Sequence, residues 1–126
     1  MKKNIGLWID HREAIIVTIA DDEEETRRLE SNVEKDSHGA GGAPSETAED
    51  MRARRLANHL NQYYAEVITH LRGADSILIF GPGEAKGELE KRLEQAGLKR
   101  FVVGVSTADK LTDRQIAARV RQRFHR

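Results

Sequence analysis

The sequence predicts an α/β fold: a mixed sheet of about five strands with helices on its faces, in the order β-β-β-α-β-α-β-α. Three observations carry this. Short β-branched runs fill the first 32 residues. One long helical period follows. Two apolar runs then alternate with helical segments to the end of the chain.

The first segment, Ile5-Gly6-Leu7-Trp8-Ile9, is short and apolar, and Asp10-His11-Arg12-Glu13 breaks it. Ala14-Ile15-Ile16-Val17-Thr18-Ile19 follows. Two such runs around a short polar turn read as a β-hairpin. Asp21-Asp22-Glu23-Glu24-Glu25 reads as a solvated acidic turn, and residues 26–32 as a more polar edge strand with Leu29 inward. Residues 33–45 form a loop whose glycines 39, 41 and 42 favour mobility. Pro44, then Ser45 or Thr47, supply helix-start chemistry. Apolar residues then fall at 53, 56, 57, 60, 64, 67, 68 and 71, a helical period closed by Gly73. Ser76-Ile77-Leu78-Ile79-Phe80 reads as a strand covered on both faces, ended by Gly81-Pro82-Gly83. Residues 86–96 form a short amphipathic helix with Leu89 and Leu93 inward, and Gly97 closes it. Phe101-Val102-Val103-Gly104-Val105 reads as a second buried strand. Thr112-Asp113-Arg114-Gln115 is a capping box opening the last helix, with Ile116, Ala117, Val120 and Phe124 on one face. The ribonuclease-H-like architecture has this order of elements.

At 126 residues the chain has the length of one domain, so residues 1–126 are expected to form a single unit. The absence of cysteine excludes disulfides, thiolate catalysis and Cys-based metal sites. It also fits a reducing cytosol. The apolar run after Lys3 is too short for a signal peptide, and a membrane helix needs about 20 such residues. The expectation is a cytoplasmic protein with no membrane segment. Lys+Arg and Asp+Glu are both 21, which argues against a nonspecific cationic nucleic-acid binder. The charges are unevenly spread: 9 basic and 13 acidic side chains in residues 1–63, 12 and 8 in residues 64–126. Aromatics are only 5%, too few for a base-stacking platform.

Four constellations bear on chemistry. A two-metal nuclease needs carboxylates converging near the sheet centre. Asp10 with Glu49 or Asp50 are the candidates, but the fourth strand ends without an acid. The bland reading is a turn residue and two dipole-favoured helix acids. Gly81-Pro82-Gly83-Glu84-Ala85-Lys86 lies between a strand and a helix, where backbone N–H groups can hold phosphate. It lacks the P-loop spacing and the dinucleotide fingerprint, and a tight turn explains it equally. His11, His38, His59, His70 and His125 are scattered, with no Ser/His/Asp arrangement. Arg52, Arg54 and Arg55 follow the glycine loop, and Arg114, Arg119, Arg121, Arg123 and Arg126 crowd the last helix. Such densities can bind a phosphate backbone, or simply form a solvated face.

Leu7-Trp8-Ile9-Asp10-His11-Arg12-Glu13-Ala14 resembles the opening strand of the middle domain of archaeal and eukaryotic class-one peptide release factors and of Pelota. Gly81-Pro82-Gly83-Glu84-Ala85-Lys86 resembles that domain's strand-ending Gly-Pro-Gly-x-x-Lys. The resemblance covers nearly the whole chain and implies the ribonuclease-H-like fold. In release factors the loop before the long helix carries Gly-Gly-Gln, which enters the peptidyl-transferase centre. Here the matching loop reads Gly41-Gly42-Ala43, and Gln62 and Gln95 lie within helices. The resemblance therefore implies binding without peptidyl-tRNA hydrolysis, and no counterpart of the flanking domains is recognised in this chain.

The leading expectation is a non-catalytic, translation-associated module that binds ribosome or structured RNA, of stalling, hibernation or rescue type. Its contacts would be Gly41, Gly42, Ala43, Arg52, Arg54, Arg55, Gly83 and Lys86, with no cofactor and no metal. The alternatives are a metal-dependent nuclease using Asp10 with Glu49 or Asp50, and a stress-related protein–protein adaptor, with a homodimer as one form.

Overall fold

The computed structural model describes residues 2–31 and 46–124, with side chains in the long helix from residue 49 onward. The glycine loop, including His38, Gly41, Gly42 and Ala43, lies outside the described residues. So do the start signals of the long helix. Strands β1 (Lys3–Ile9), β2 (Glu13–Ala20) and β3 (Glu23–Glu30) form a meander. Helix α1 (Glu46–Leu71) leads into β4 (Ser76–Gly81), α2 (Ala85–Gln95), a 3₁₀ turn (Lys99–Phe101), β5 (Val102–Thr107) and α3 (Asp113–Phe124). The predicted α/β order is the observed one.

The sheet order is β3-β2-β1-β4-β5. β1 pairs antiparallel with β2, from Lys3↔Ala20 to Ile9↔Ala14, and parallel with β4, from Asn4↔Ser76 to Trp8↔Phe80. β5 pairs parallel with β4. The result is a mixed, ribonuclease-H-like sheet.

Alternation along the strands sorts the core into two layers. Ile5, Leu7, Ile9, Ile77 and Ile79 face α1 and α2 and pack with Tyr64, Val67, Leu71, Leu89 and Leu93. Trp8, Ile15, Val17 and Phe80 face α3 and pack with Ile116 and Val120. Fully burying one such side chain contributes about 1.5–3 kcal/mol over leaving it exposed. The capping box forms as read. Gln115 Oε1 accepts from the Thr112 N–H at 2.8 Å, and Thr112 Oγ1 accepts from the Gln115 N–H at 3.2 Å.

Two readings need correction. The acidic run is not all turn. Only Asp21 and Asp22 turn the chain, with Asp21 at φ 55°, and Glu23 to Glu25 already pair with Ala20 to Thr18. A short polar side chain tolerates the left-handed conformation, so two residues suffice. β5 is also not buried: it ends the sheet, and Val103 and Val105 are exposed. An apolar run reads alike at the centre and the edge of a sheet, because composition does not reveal how many neighbours a strand has.

α3 is seated by an absent side chain. A Cβ on Gly6 would lie 2.4 Å from Val120 Cγ2 and 3.1 Å from its Cβ. Overpacking of this kind costs about 1–3 kcal/mol. We expect Gly6→Ala to lower stability to chemical denaturation by roughly that amount. Adding Val120→Ala should recover part of the loss, and equal losses in the single and double variants would refute the contact.

Candidate functional site

The parallel strands β1, β4 and β5 point the same way, so Ile9, Gly81 and Thr107 end at one margin of the sheet. Crevices outside strand carboxyl ends are the usual ligand sites of such sheets. Four segments meet here: the β1–β2 turn, the β4–α2 turn, the middle of α1 and the face of α2.

The β1–β2 turn is held by Asp10. One carboxylate oxygen accepts the backbone N–H groups of Arg12 and Glu13, both at 2.8 Å. The Asp10 N–H donates to the Glu13 carbonyl at 3.0 Å. This short-range pattern is what Asp does in turns. On the neighbouring strand, a Cβ on Gly81 would lie 2.2 Å from the Ile9 carbonyl oxygen. Gly81 is there because two backbones touch. Gly83, at φ 62° with open space around it, supplies the left-handed residue that turns the chain into α2. Lys86 Nζ reaches back to the Gly83 carbonyl at 2.5 Å.

Two consecutive tyrosines of α1 tie these turns together. Tyr63 Oη donates to the Asp10 carbonyl at 3.0 Å, and Tyr64 Oη donates to Glu88 Oε1 at 2.6 Å. The same Glu88 oxygen meets His11 Nε2 at 3.0 Å. The Arg92 guanidinium lies 4.7 Å over the Tyr64 ring, and its Nη2 donates to Asn61 Oδ1 at 2.5 Å. Burial pushes both tyrosine hydroxyls well above their ordinary range, so neither ionises near neutrality. Partial burial pushes the Glu88 carboxyl up. The hydrogen bonds from Tyr64 and His11, with the charges of His11 and Arg92, outweigh this and hold it below its ordinary value. The cluster is a clamp between elements: Tyr63 ties α1 to the β1–β2 turn, and Tyr64 and His11 meet on one oxygen of Glu88.

The carboxylates of the nuclease reading do not converge. Tyr63 touches Asp10, while Glu49 and Asp50 lie 14 and 13 residues earlier on α1. At 1.5 Å per residue that is about 20 Å along the axis. Among the described residues no group of three His or carboxylate side chains could hold a metal ion.

The basic candidates divide. Arg52 and Arg54 are exposed and Arg55 is half-buried. Their part of α1 is uncovered, with Met51 and Leu56 at 52% and 44% exposure. Arg52 lies eleven residues from Tyr63, about 16 Å along the helix. Arg52 therefore lies well away from the tyrosine clamp. On α3, Arg121 is engaged with Glu24 at 2.7 Å, and Arg119 lies 5.7 Å over the Phe80 ring. Sequence reading missed Tyr63, Tyr64 and Glu88. The tandem tyrosine was the available signal, but its partners are 24 and 53 residues away.

No family model and no curated protein matches the sequence. Solved structures do match in fold. Pelota of Thermoplasma acidophilum superposes with a TM-score of 0.65 at 18% identity, covering 96% of this chain and 32% of that one. Pelota of Archaeoglobus fulgidus gives 0.58 at 13% identity, over 96% and 31%. An archaeal translation termination factor gives 0.52 at 14% identity, over 98% and 39%. The chain thus spans about a third of the length of these structures. Its fold is that of the Pelota and release-factor middle domain, as the two short motifs implied. Among the described residues no helix is long and apolar enough to cross a membrane.

Two outcomes follow from the clamp. Gly83→Val should cost about 1–3 kcal/mol of stability, read in urea titration, because a β-branched residue is strained at this φ. Gly81→Ala should cost more, since the Ile9 carbonyl cannot move aside; the reverse ranking would contradict the backbone contact. A carboxyl held low in the folded state adds stability above its ordinary value, here 4.5, which is lost as pH falls through the folded value. Between about pH 6 and about pH 3, Glu88→Gln should therefore lose less stability than the parent chain. Equal losses would refute the role of that carboxylate.

Proposed function

We propose that this chain is a non-catalytic, translation-associated module that binds ribosome or structured RNA. The observation that carries the reading is its fold, shared over 96% of the chain with Pelota of Thermoplasma acidophilum. A second structure of this fold is named a translation termination factor.

The physical support is local. Between residues 49 and 58 of α1 every residue but the half-buried Arg55 is exposed, Arg52 and Arg54 among them. Arg55 follows them. A helix N-terminus adds the positive end of its dipole, which favours phosphate. Zero net charge is no obstacle, because a backbone contact depends on local charge. Glu49 and Asp50 oppose it and limit its strength. Gly41, Gly42 and Ala43 precede this helix and would join the contact. Without a loop glutamine, the hydrolytic step that the resemblance associates with Gly-Gly-Gln has no side chain to support it. Gly83 and Lys86, at the β4–α2 turn, would add to the contact. The Lys86 ammonium would have to release the Gly83 carbonyl to reach a phosphate.

The test is co-sedimentation of the chain with purified ribosomes on sucrose gradients, at two salt concentrations. The parent chain is expected in the ribosomal fractions. Arg52→Ala with Arg54→Ala should weaken association and flatten its salt dependence, by a slope of about one per lost phosphate contact. Thermal stability should not change, since both side chains are exposed. Association unaltered at both salt concentrations would refute this surface, and free sedimentation of the parent chain would refute the reading itself.

A further inference from the structure

The two edges of the sheet differ in chemistry. β3 carries six charged residues in eight positions. Two of them are tied to α3, Arg28 to Asp113 and Glu24 to Arg121, both at 2.7 Å. Charged edges resist pairing with another chain. β5, Val-Val-Gly-Val-Ser-Thr, carries no charge in six positions. It ends the sheet, with Val103 and Val105 at 40% and 36% exposure. An edge strand presents a row of N–H and C=O groups to whatever lies beyond it.

The flanks of β5 carry opposite charges. Lys99 and Arg100 precede it, and the exposed Asp109 follows it. Lys110, next along, is exposed with Glu13 at 3.2 Å, and it offsets part of the negative charge at that end. Lys99 has Glu94 at 3.4 Å as a solvent-exposed neighbour, the kind of ion pair that holds weakly.

We propose that β5 is a pairing surface for a second copy of this chain, antiparallel about a two-fold axis. That orientation lays the Lys99–Arg100 end of one copy beside the partner's Asp109, and does so twice. A parallel pair would lay like charges together. The exposed faces of Val103 and Val105 would be covered by their counterparts. Val103 is a bulge, because Ile77 pairs with Val102 and Leu78 with Gly104. The regular ladder is therefore short, the buried area small and the dimer weak and concentration-dependent. The charges on β3 prevent its edge from joining a neighbouring β5, so assembly stops at two copies.

Sedimentation equilibrium of the full chain, from low micromolar to several hundred micromolar, tests this. The mass should rise from one copy towards two. Val103→Lys with Val105→Lys should stay monomeric with an unchanged circular-dichroism spectrum. Lys99→Glu and Asp109→Lys should each raise the dissociation constant severalfold, and the two together should bring it back towards the parent value. Should the valine variant fail to fold, the exposed charge pair decides. A monomer at every concentration overturns the proposal, as does a dimer the folded valine variant leaves intact. A charge-swapped double variant no tighter than the singles overturns the antiparallel arrangement, and growth beyond two copies overturns the closed dimer.

Discussion

The fold depends on the two-sided pairing of β1. It is antiparallel to β2 on one side and parallel to β4 on the other. Five of its seven residues are buried. Antiparallel pairing needs only the Asp10 turn, whereas parallel pairing needs a crossover. α1 is part of that crossover. Side chains at odd positions of β1 build the layer under α1 and α2. Gly6 leaves the opposite face low enough for Val120 to seat α3. A slip of one residue in this strand would exchange the two faces and bring both layers down.

The crossover helix is longer than the sheet it covers. Twenty-six residues span about 39 Å, against about 23 Å for a seven-residue strand. The C-terminal end of α1 lies beside the start of β1, where Thr69, His70 and Lys3 line one cleft. Tyr63 meets the turn at the other end of that strand. The excess length therefore projects past the strand carboxyl ends. The Tyr63 and Tyr64 hydroxyls fix the helix against Asp10 and Glu88, and just before them Leu60 packs on the core and Asn61 accepts from Arg92. Beyond them Leu56, Ala57 and Arg52 are exposed. In the proposed function, this exposed, arginine-bearing stretch is the part of α1 available to a partner.

Most of the element order was legible because hydrophobic period and turn chemistry are local. The alternation around Asp10, the stripe from residue 53 to 71 and the Thr112–Gln115 box each specify their own element. What lay beyond the sequence depends on distant partners. The stripe on α1 reads the same at Leu56, which is exposed, and at Leu71, which is fully buried. Periodicity reports which face is apolar, not how far the sheet extends beneath it. The clamp joins His11, Tyr64 and Glu88, whose spacings of 53 and 24 residues hold no local signal. The apolar run of β5 hid its edge position for the same reason. Asp10 uses its carboxylate in the β1–β2 turn, accepting the N–H groups of Arg12 and Glu13.

The proposed contact with ribosome or RNA lies on the exposed first half of α1. Cross-linking the full chain to purified ribosomes, then identifying the modified peptides by mass spectrometry, tests it most directly. RNA adducts are expected to concentrate between residues 46 and 59, with few on β5 or the outer face of α3. Adducts concentrated on α3, or none above the level of an unrelated protein of similar charge, would contradict it.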